Sequence, residues 1–476
     1  MLSNASVLDI FKTITTIPRE SGNEGPITAF LKDWAERRGL ECKVDAIGNV
    51  CISKAAAPGK ESIPTVVLQA HQDMVCEKIA GSSHNFLTDP IEYEIEDGWM
   101  IAKDTTLGAD DGIGIAACLA LLESDLQTGR LECVFTISEE TGMDGANAMQ
   151  EGFFSGKTLI NLDSEDEGEL FIGCAGGENT DAFFNYATCN VRDQWTRLSL
   201  KVDGALGGHS GDDINKGRAN AVQILSAFLA QELPFGIQLL LIKGGGKSNA
   251  IARDAEAIIA VPDSDATLSR FVSFGQRQKV SYAESDPGLR FTASYSFFNE
   301  KAVEDKACES IVKALSECPH GVIAMSPDIE GLVQTSTNLA AVSMKEKGRI
   351  KVVTSQRSSV TSELDEIVGK VAGHFKSCGA DAVESFSKYP GWNPNIDSNI
   401  LKVSVDSYRR LFGVDPKVKA IHAGLECGLF LEKFPGLDMI SFGPTLRGVH
   451  APGERMELSS LEKFIALLED VVCSFK

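Results

Sequence analysis

The chain has 476 residues, more than one hydrophobic core usually supports, so two domains and a large core are expected. Against 67 Asp+Glu its 45 Lys+Arg leave a net charge of −22, a surface that repels nucleic acid and anionic membranes. Its 12 cysteines include no C-x-x-C pair, which argues against a zinc finger or redox motif and reads as reduced core residues of a cytosolic protein.

The first stretch, "MLSNASVLDIFKTITTIPRE", lacks a basic segment followed by a continuous apolar one, and no 18-residue apolar run occurs anywhere, so neither export nor membrane insertion is expected. Residues 1–177 then alternate strand and helix patterns, the signature of an α/β sheet. "ITAFLKDWAERRGL" is an amphipathic helix, "TVVLQAHQDMV" a buried strand running into a polar loop, and "GIGIAACLALLES" a buried helix. "RLECVFTISEE" and "KTLINLDSEDEG" supply two more strands. Polar residues collect at the strand ends: His71 and Asp73 after "TVVLQA", Glu139 and Glu140 after "LECVFTIS", Asp163 after "TLINL". Ligands bind at the carboxyl ends of strands in open α/β sheets, so these sets are expected to converge on one edge.

From 178 to 388 the texture changes to β-rich stretches such as "TRLSLKVDGA", "IQLLLIKGG" and "DAEAIIAV", interleaved with helices such as "ANAVQILSAFLAQEL". This reads as an α+β domain inserted into the first one. After the Pro/Gly-rich "KYPGWNPN" the first texture returns over 389–476, where "GLDMISFGPTLRGVHAPGE" leads to His450. Ser459 and Glu462 form a capping-box pattern before the closing helix. No tandem repeat stands out.

The stretch "TTLGADDGIGIAAC" sets Asp110 beside Asp111 between glycines. Alone it reads most simply as a solvated turn, since Asp and Gly are the usual loop residues. Together with the strand-end acids and histidines it offers the N and O donors that one or two Zn²⁺ ions take. Two Zn²⁺ against three carboxylates and a bridging hydroxide sum to zero, which removes the repulsion between neighbouring acids.

In order, "LQAHQDMV", "TTLGADDGIG", "FTISEETGMDG", "NLDSEDEGELFIGCAGG" and "RGVHAPGE" resemble the motif set of the M20 family of di-zinc peptidases, most closely its aminoacyl-histidine dipeptidase branch. The likeness runs from "TIPRESGNE" to the final helix. It implies an α/β catalytic domain, a mostly parallel sheet with helices on both faces, with an inserted α+β lid that also serves dimerisation. It further implies two Zn²⁺ per chain, with Co²⁺ or Mn²⁺ able to substitute, held by His71, Asp110, Glu140, Asp163 and His450, with Asp110 bridging. Asp73 would orient His71, and Glu139 would be the general base for the attacking water. Asp111 stands where this branch often has Asn, after a peptide bond the family holds cis, and is read as structural.

The same resemblance gives His209, in "DGALGGHSGDDINKG", the task of polarising the scissile carbonyl, although a lone loop histidine would otherwise read as a surface residue. Asn249, Arg357 and the backbone of Gly424 would hold the substrate's carboxylate end, where a guanidinium fork suits two oxygens. "GGGKSNAI" is no phosphate loop, because Leu241 stands where the first glycine is needed. His84, His320, His374 and His422 match no motif role and read as ordinary surface or core residues, and the acidic run after Asp163 as a solvated loop.

The implied function is metal-dependent hydrolysis of unblocked dipeptides, with Xaa-His among the candidate substrates, by a cytoplasmic enzyme that dimerises through its lid. Two other readings share these residues: another M20 activity on tripeptides or N-acyl amino acids, and a non-catalytic metal- or peptide-binding relative. Intact Glu139 argues against the second.

Overall fold

The stretches Val66–His71 and Leu131–Thr136 are buried at every position, as strands covered on both faces must be. The computed structural model, which describes residues 2–327, 329 and 331–475, places them at the centre of an eight-stranded sheet. Its order is Glu41–Val44, Val50–Lys54, Leu131–Thr136, Val66–His71, Thr158–Asn161, Asp438–Ser441, Glu169–Cys174 and Lys417–Ile421. Leu131–Thr136, Val66–His71, Thr158–Asn161 and Asp438–Ser441 run parallel, and the flanking pairs with known register are antiparallel. The parallel set turns four carboxyl ends to one edge, in a register that pairs His71 with Thr136 and Gln69 with Asn161.

The chain clusters into two compact units, one comprising 1–174, 392–420 and 425–476 and the other 175–391 with 421–424. In the first, the apolar Ala109–Glu123 helix is buried from Ala109 to Leu122 and packs on Val66–His71. The closing helix Leu458–Ser474 lacks the expected capping box: Glu457 occupies the cap position and no side chain caps the turn. Ser460 there accepts from the amide of Thr445 at 2.8 Å and donates to the Glu457 carbonyl at 2.7 Å, fastening the incoming strand instead. The acidic run after Asp163 is also less solvated than expected. Asp166 pairs with Arg447, Glu167 accepts from Tyr408 and Lys463, and Glu169 from Lys419.

The second unit is a duplication that the linear sequence conceals. Thr196–Asp203, a helix Ala221–Glu232, Gln238–Gly245, Ala255–Val261, a helix Ser264–Ser281 and Arg290–Tyr295 make one strand-helix-strand-strand-helix-strand module. Gly176–Asn185, a helix Asp305–Ser316, Val333–Ser343, Arg349–Ser358, a helix Thr361–Ser377 and Ala382–Tyr389 make the other. In each, the sheet order is fourth, first, third, second, and the two second strands pair antiparallel through Gly244 with Val342 and Gly245 with Ala341. Because the opening strand of one module precedes the whole of the other, no tandem period exists to be read. All four helices bury their apolar faces in one core with one face of this sheet, Phe228, Phe271, Ile311 and Phe375 among them.

Among the described residues no helix is long and apolar enough to cross a membrane. All twelve cysteines are free.

Asn220 joins the two modules. Its side-chain oxygen caps the Ala221–Glu232 helix at the amide of Gln223, 3.1 Å away, while its side-chain nitrogen donates to the Leu339 carbonyl at 2.7 Å. The Asn220→Ala change removes a cap and leaves a buried carbonyl unmet, so denaturant unfolding is expected to show a loss of about 2–4 kcal/mol. Asn220→Ser, which keeps a cap acceptor and brings no charge to the Leu339 carbonyl, should lose less, and equal losses would contradict the two-part role.

Candidate metal centre

Asp110 and Asp111 open the Ala109–Glu123 helix in non-helical conformations, joined by a cis peptide bond. Asp110 Oδ1 lies 2.8 Å from Nε2 of His71, and its Oδ2 lies 3.0 Å from Nε2 of His450. The one carboxylate thus faces two imidazoles, one on each oxygen. Around the first, Asp163 Oδ1 is 3.6 Å from His71 Nε2; around the second, Glu140 Oε1 is 2.9 Å from His450 Nε2. His450 sits at φ 62° in the turn between Leu446–Arg447 and Arg455–Glu457 and does not end a strand. Three groups each bring their ligand atoms within 4.8 Å of one another: His71, Asp110 and Asp163; His71, Glu139 and Glu140; Asp110, Glu140 and His450.

The carboxylates and imidazoles of this cluster shift one another strongly. Against the opposing pull of burial, Asp163, Asp110 and Asp73 hold the His71 imidazolium well above its ordinary range. His450 is pushed up to about 11, its bonds to Asp110 and Glu140 outweighing burial. Burial pushes Asp163 up, Asp110 adding to it, and burial likewise pushes up Glu139, beside Asp163 and Glu140. Asp110 goes the other way, since its bonds from His450 and His71 outweigh burial and hold it well below the carboxylate range. Buried Glu140 Oε1 accepts no well-formed hydrogen bond despite its nearness to His450. Convergent carboxylate and imidazole donors in two sets sharing Asp110 fit a pair of divalent cations.

Asp73 ties this centre together. Its carboxylate lies 3.4 Å from His71 Nδ1 and accepts from the amides of Glu139 and Glu140 at 3.1 and 3.2 Å and from Ser21 Oγ at 2.7 Å. With those donors added to His71, its pKa falls to about 2 despite burial. Asp111 accepts from the amide of Gly114 at 3.0 Å and so starts the regular part of its helix.

The model of Peptidase family M20/M25/M40 matches residues 67–474, which contain every residue of this cluster. The chain belongs to that family. It is 36% identical to the cytosol non-specific dipeptidase of Escherichia coli (strain K12), across 99% of this chain and 98% of that one. The solved structure of aminoacylhistidine dipeptidase from Vibrio alginolyticus superposes with a TM-score of 0.90 and 35% identity, covering 100% of this chain and 98% of that one. Aminopeptidase PepT from Bacillus cereus ATCC 10987 shares the fold, with a TM-score of 0.58 and 15% identity over 99% of this chain and 98% of that one. This family chain is thus a mixed α/β peptidase with a largely parallel sheet.

The second unit gathers the remaining candidate residues. Arg357, 7% exposed, donates through Nε to Ser210 Oγ at 3.4 Å and through Nη1 to Tyr389 Oη at 3.0 Å, and its Nη2 lies 3.5 Å from His209 Nε2. The amides of Gly211 and Asp212 both reach His209 Nδ1 at 3.3 Å, so that nitrogen accepts and the ring proton sits on Nε2. Asp212 Oδ2 lies 3.3 Å from the same Nδ1. Arg357 Nη2 and His209 Nε2 thus lie side by side in this unit. Asn249 joins Arg357 in lining a cavity of about 420 Å³, and its carbonyl accepts from the amide of Ser210 at 2.8 Å. Gly424 abuts the Tyr389 ring.

Several supporting residues escaped the sequence reading. Arg19 is buried and donates to the carbonyls of Gln72 at 3.0 Å, Asp73 at 2.6 Å and Gly108, spanning two of the loops that carry the cluster. A Cβ on Gly108, at φ 68°, would stand 2.5 Å from that guanidinium. Glu454 accepts from the amides of Leu107, Gly108, Ala109 and Asp110 at 2.8, 3.0, 2.8 and 3.4 Å. Both stand inside quoted motifs, "TIPRESGNE" and "VHAPGE", and that position was their one signal. His422, set aside as ordinary, is buried with Nε2 2.8 Å from Ser336 Oγ, and burial and Arg357 depress its pKa to about 3.

Glu454→Ala would release four amides that hold the Asp110 loop while leaving every candidate donor in place. Divalent-metal affinity, read by chelator competition, is expected to fall about 10–100-fold, the usual effect of losing an outer support. Unchanged affinity would contradict that role.

Proposed function

We propose that the chain is a metallo-dipeptidase that hydrolyses unblocked dipeptides, aminoacyl-histidine among them. The observation that carries the reading is the division of Asp110 between His71 on one oxygen and His450 on the other, with Asp163 and Glu140 completing the two sets. Full-length likeness to two proteins named as dipeptidases supports the substrate class.

In this reading His71, Asp110 and Asp163 would hold one Zn²⁺ and Asp110, Glu140 and His450 the other, Asp110 serving both sets. The bound metal pair supplies Lewis acidity and makes a water nucleophilic at neutral pH. Glu139 belongs to neither set, and its carboxylate takes the proton of the attacking water and returns it to the departing amine. Asp73 holds His71 through Nδ1 and fixes the backbone of Glu139 and Glu140, so base and ligand keep their places together. His209, with its proton on Nε2, donates to the oxygen on which charge develops. Arg357, with Asn249 and the amide of Gly424, takes the free carboxylate of the substrate. The second unit also serves as the dimer contact, and the enzyme works in the cytoplasm.

The test is a dipeptide panel assayed on dialysed protein given Zn²⁺, Co²⁺ or Mn²⁺, with Glu139→Gln as the companion variant. Wild-type protein is expected to cleave free dipeptides, and the variant to lose about 10²–10⁴-fold in kcat while keeping its metal. Cleavage of no dipeptide under any metal would overturn the activity. Loss of metal from the variant would overturn the assignment of Glu139.

A further inference from the structure

We infer that Tyr389 is the residue that aims Arg357, a positioning role that rests on reading Arg357 as the holder of the substrate's carboxylate. Arg357 and Tyr389 lie on strands that do not touch. Arg349–Ser358 and Ala382–Tyr389 flank Gly176–Asn185, and both Arg357 and Tyr389 pair with Gly177. Neighbouring strands are about 4.8 Å apart, so the two backbones stand roughly 9–10 Å from each other. A hydrogen bond between the side chains must cross the middle strand.

Gly177 makes the crossing possible. A Cβ there would stand 2.5 Å from Tyr389 Oη, 2.6 Å from Cζ and 2.8 Å from Cε1, so the ring lies directly over the glycine. On another side Gly424 closes the slot: a Cβ on it would be 2.8 Å from Cε2 of the same ring. With glycine at both places the phenol passes between strand and loop and brings Oη to 3.0 Å from Arg357 Nη1.

The strand is also modified to deliver the ring. Its pairing with Gly176–Asn185 is regular from Ala382 to Phe386 and shifts before Tyr389, with Ser387 at φ 54°. Such an irregularity re-aims the side chains that follow it. The guanidinium is then held on two sides, by Tyr389 at Nη1 and by Ser210 at Nε, with Nη2 beside His209, and the residue lines the cavity. Fixing a long side chain in this way removes the rotamer freedom that substrate binding would otherwise have to quench.

Tyr389→Phe in the full-length, metal-loaded enzyme deletes the hydroxyl and keeps the ring. KM for free dipeptides is expected to rise about three- to tenfold with kcat within about twofold, the size of one lost hydrogen bond. The preference for free over C-terminally amidated dipeptides should fall by the same factor, with metal content and thermal midpoint unchanged. Gly177→Val, which displaces the ring and its hydroxyl while leaving the phenol chemically intact, should give the same loss of preference. Arg357→Ala should abolish the preference, and Tyr389→Phe should add nothing in that background. Wild-type KM and preference in Tyr389→Phe, alongside a loss in Arg357→Ala, would overturn the inference and leave the reading of Arg357 standing. A wild-type preference in Arg357→Ala would overturn that reading, and the inference with it.

Discussion

Asp110 is a carboxylate with an imidazole on each oxygen, and the architecture of the first unit serves to keep it so. The pair His71 and His450 come from opposite ends of the sequence, 2.8 and 3.0 Å from the two oxygens. Neither contact survives unless the loop before the Ala109–Glu123 helix is fixed. Glu454 gathers four of that loop's amides, and buried Arg19 binds its Gly108 carbonyl together with the loop after His71. A buried carboxylate and a buried guanidinium are expensive to desolvate, and each is met here by several backbone partners. The parallel centre of the sheet adds the rest by turning the ends of three strands the same way.

The second unit works by a different principle. Its sheet is built twice from one strand-helix-strand-strand-helix-strand pattern, and the halves meet back to back at Gly244 and Gly245. His209 comes from one module and Arg357 from the other, so a single chain assembles the donor pair. The arrangement is polar yet almost fully partnered, with Ser210, Tyr389 and the amides of Gly211 and Asp212 orienting the two donors. Arg357 also lines the cavity of this unit, and its Nη2 lies 3.5 Å from His209 Nε2.

Much of the first unit could be read without coordinates, because an all-buried strand followed by a polar side chain leaves its mark in the order of residues. "TVVLQAHQD", "LECVFTISEE" and "TLINLD" each end an apolar run on an acid or histidine, and parallel pairing brings those ends together. Arg19 and Glu454 left no such mark, since a charged residue in a loop reads as solvated whether or not backbone carbonyls and amides surround it. The duplication was hidden by its permuted order. Tyr389 was invisible for a related reason: its contact with Arg357 comes from strand neighbours far away in sequence. Ser459 failed as a capping signal because the neighbouring Ser460 fastens the Thr445 strand there instead.

The central claim is that Asp110 is shared by two cations. Zinc content after equilibrium dialysis, measured per chain on wild-type protein and on Asp110→Asn, addresses it directly. Two ions per wild-type chain, with both held more weakly in Asp110→Asn, is the result this account predicts. One ion per wild-type chain, or a variant in which one of two ions keeps its full affinity, would contradict it.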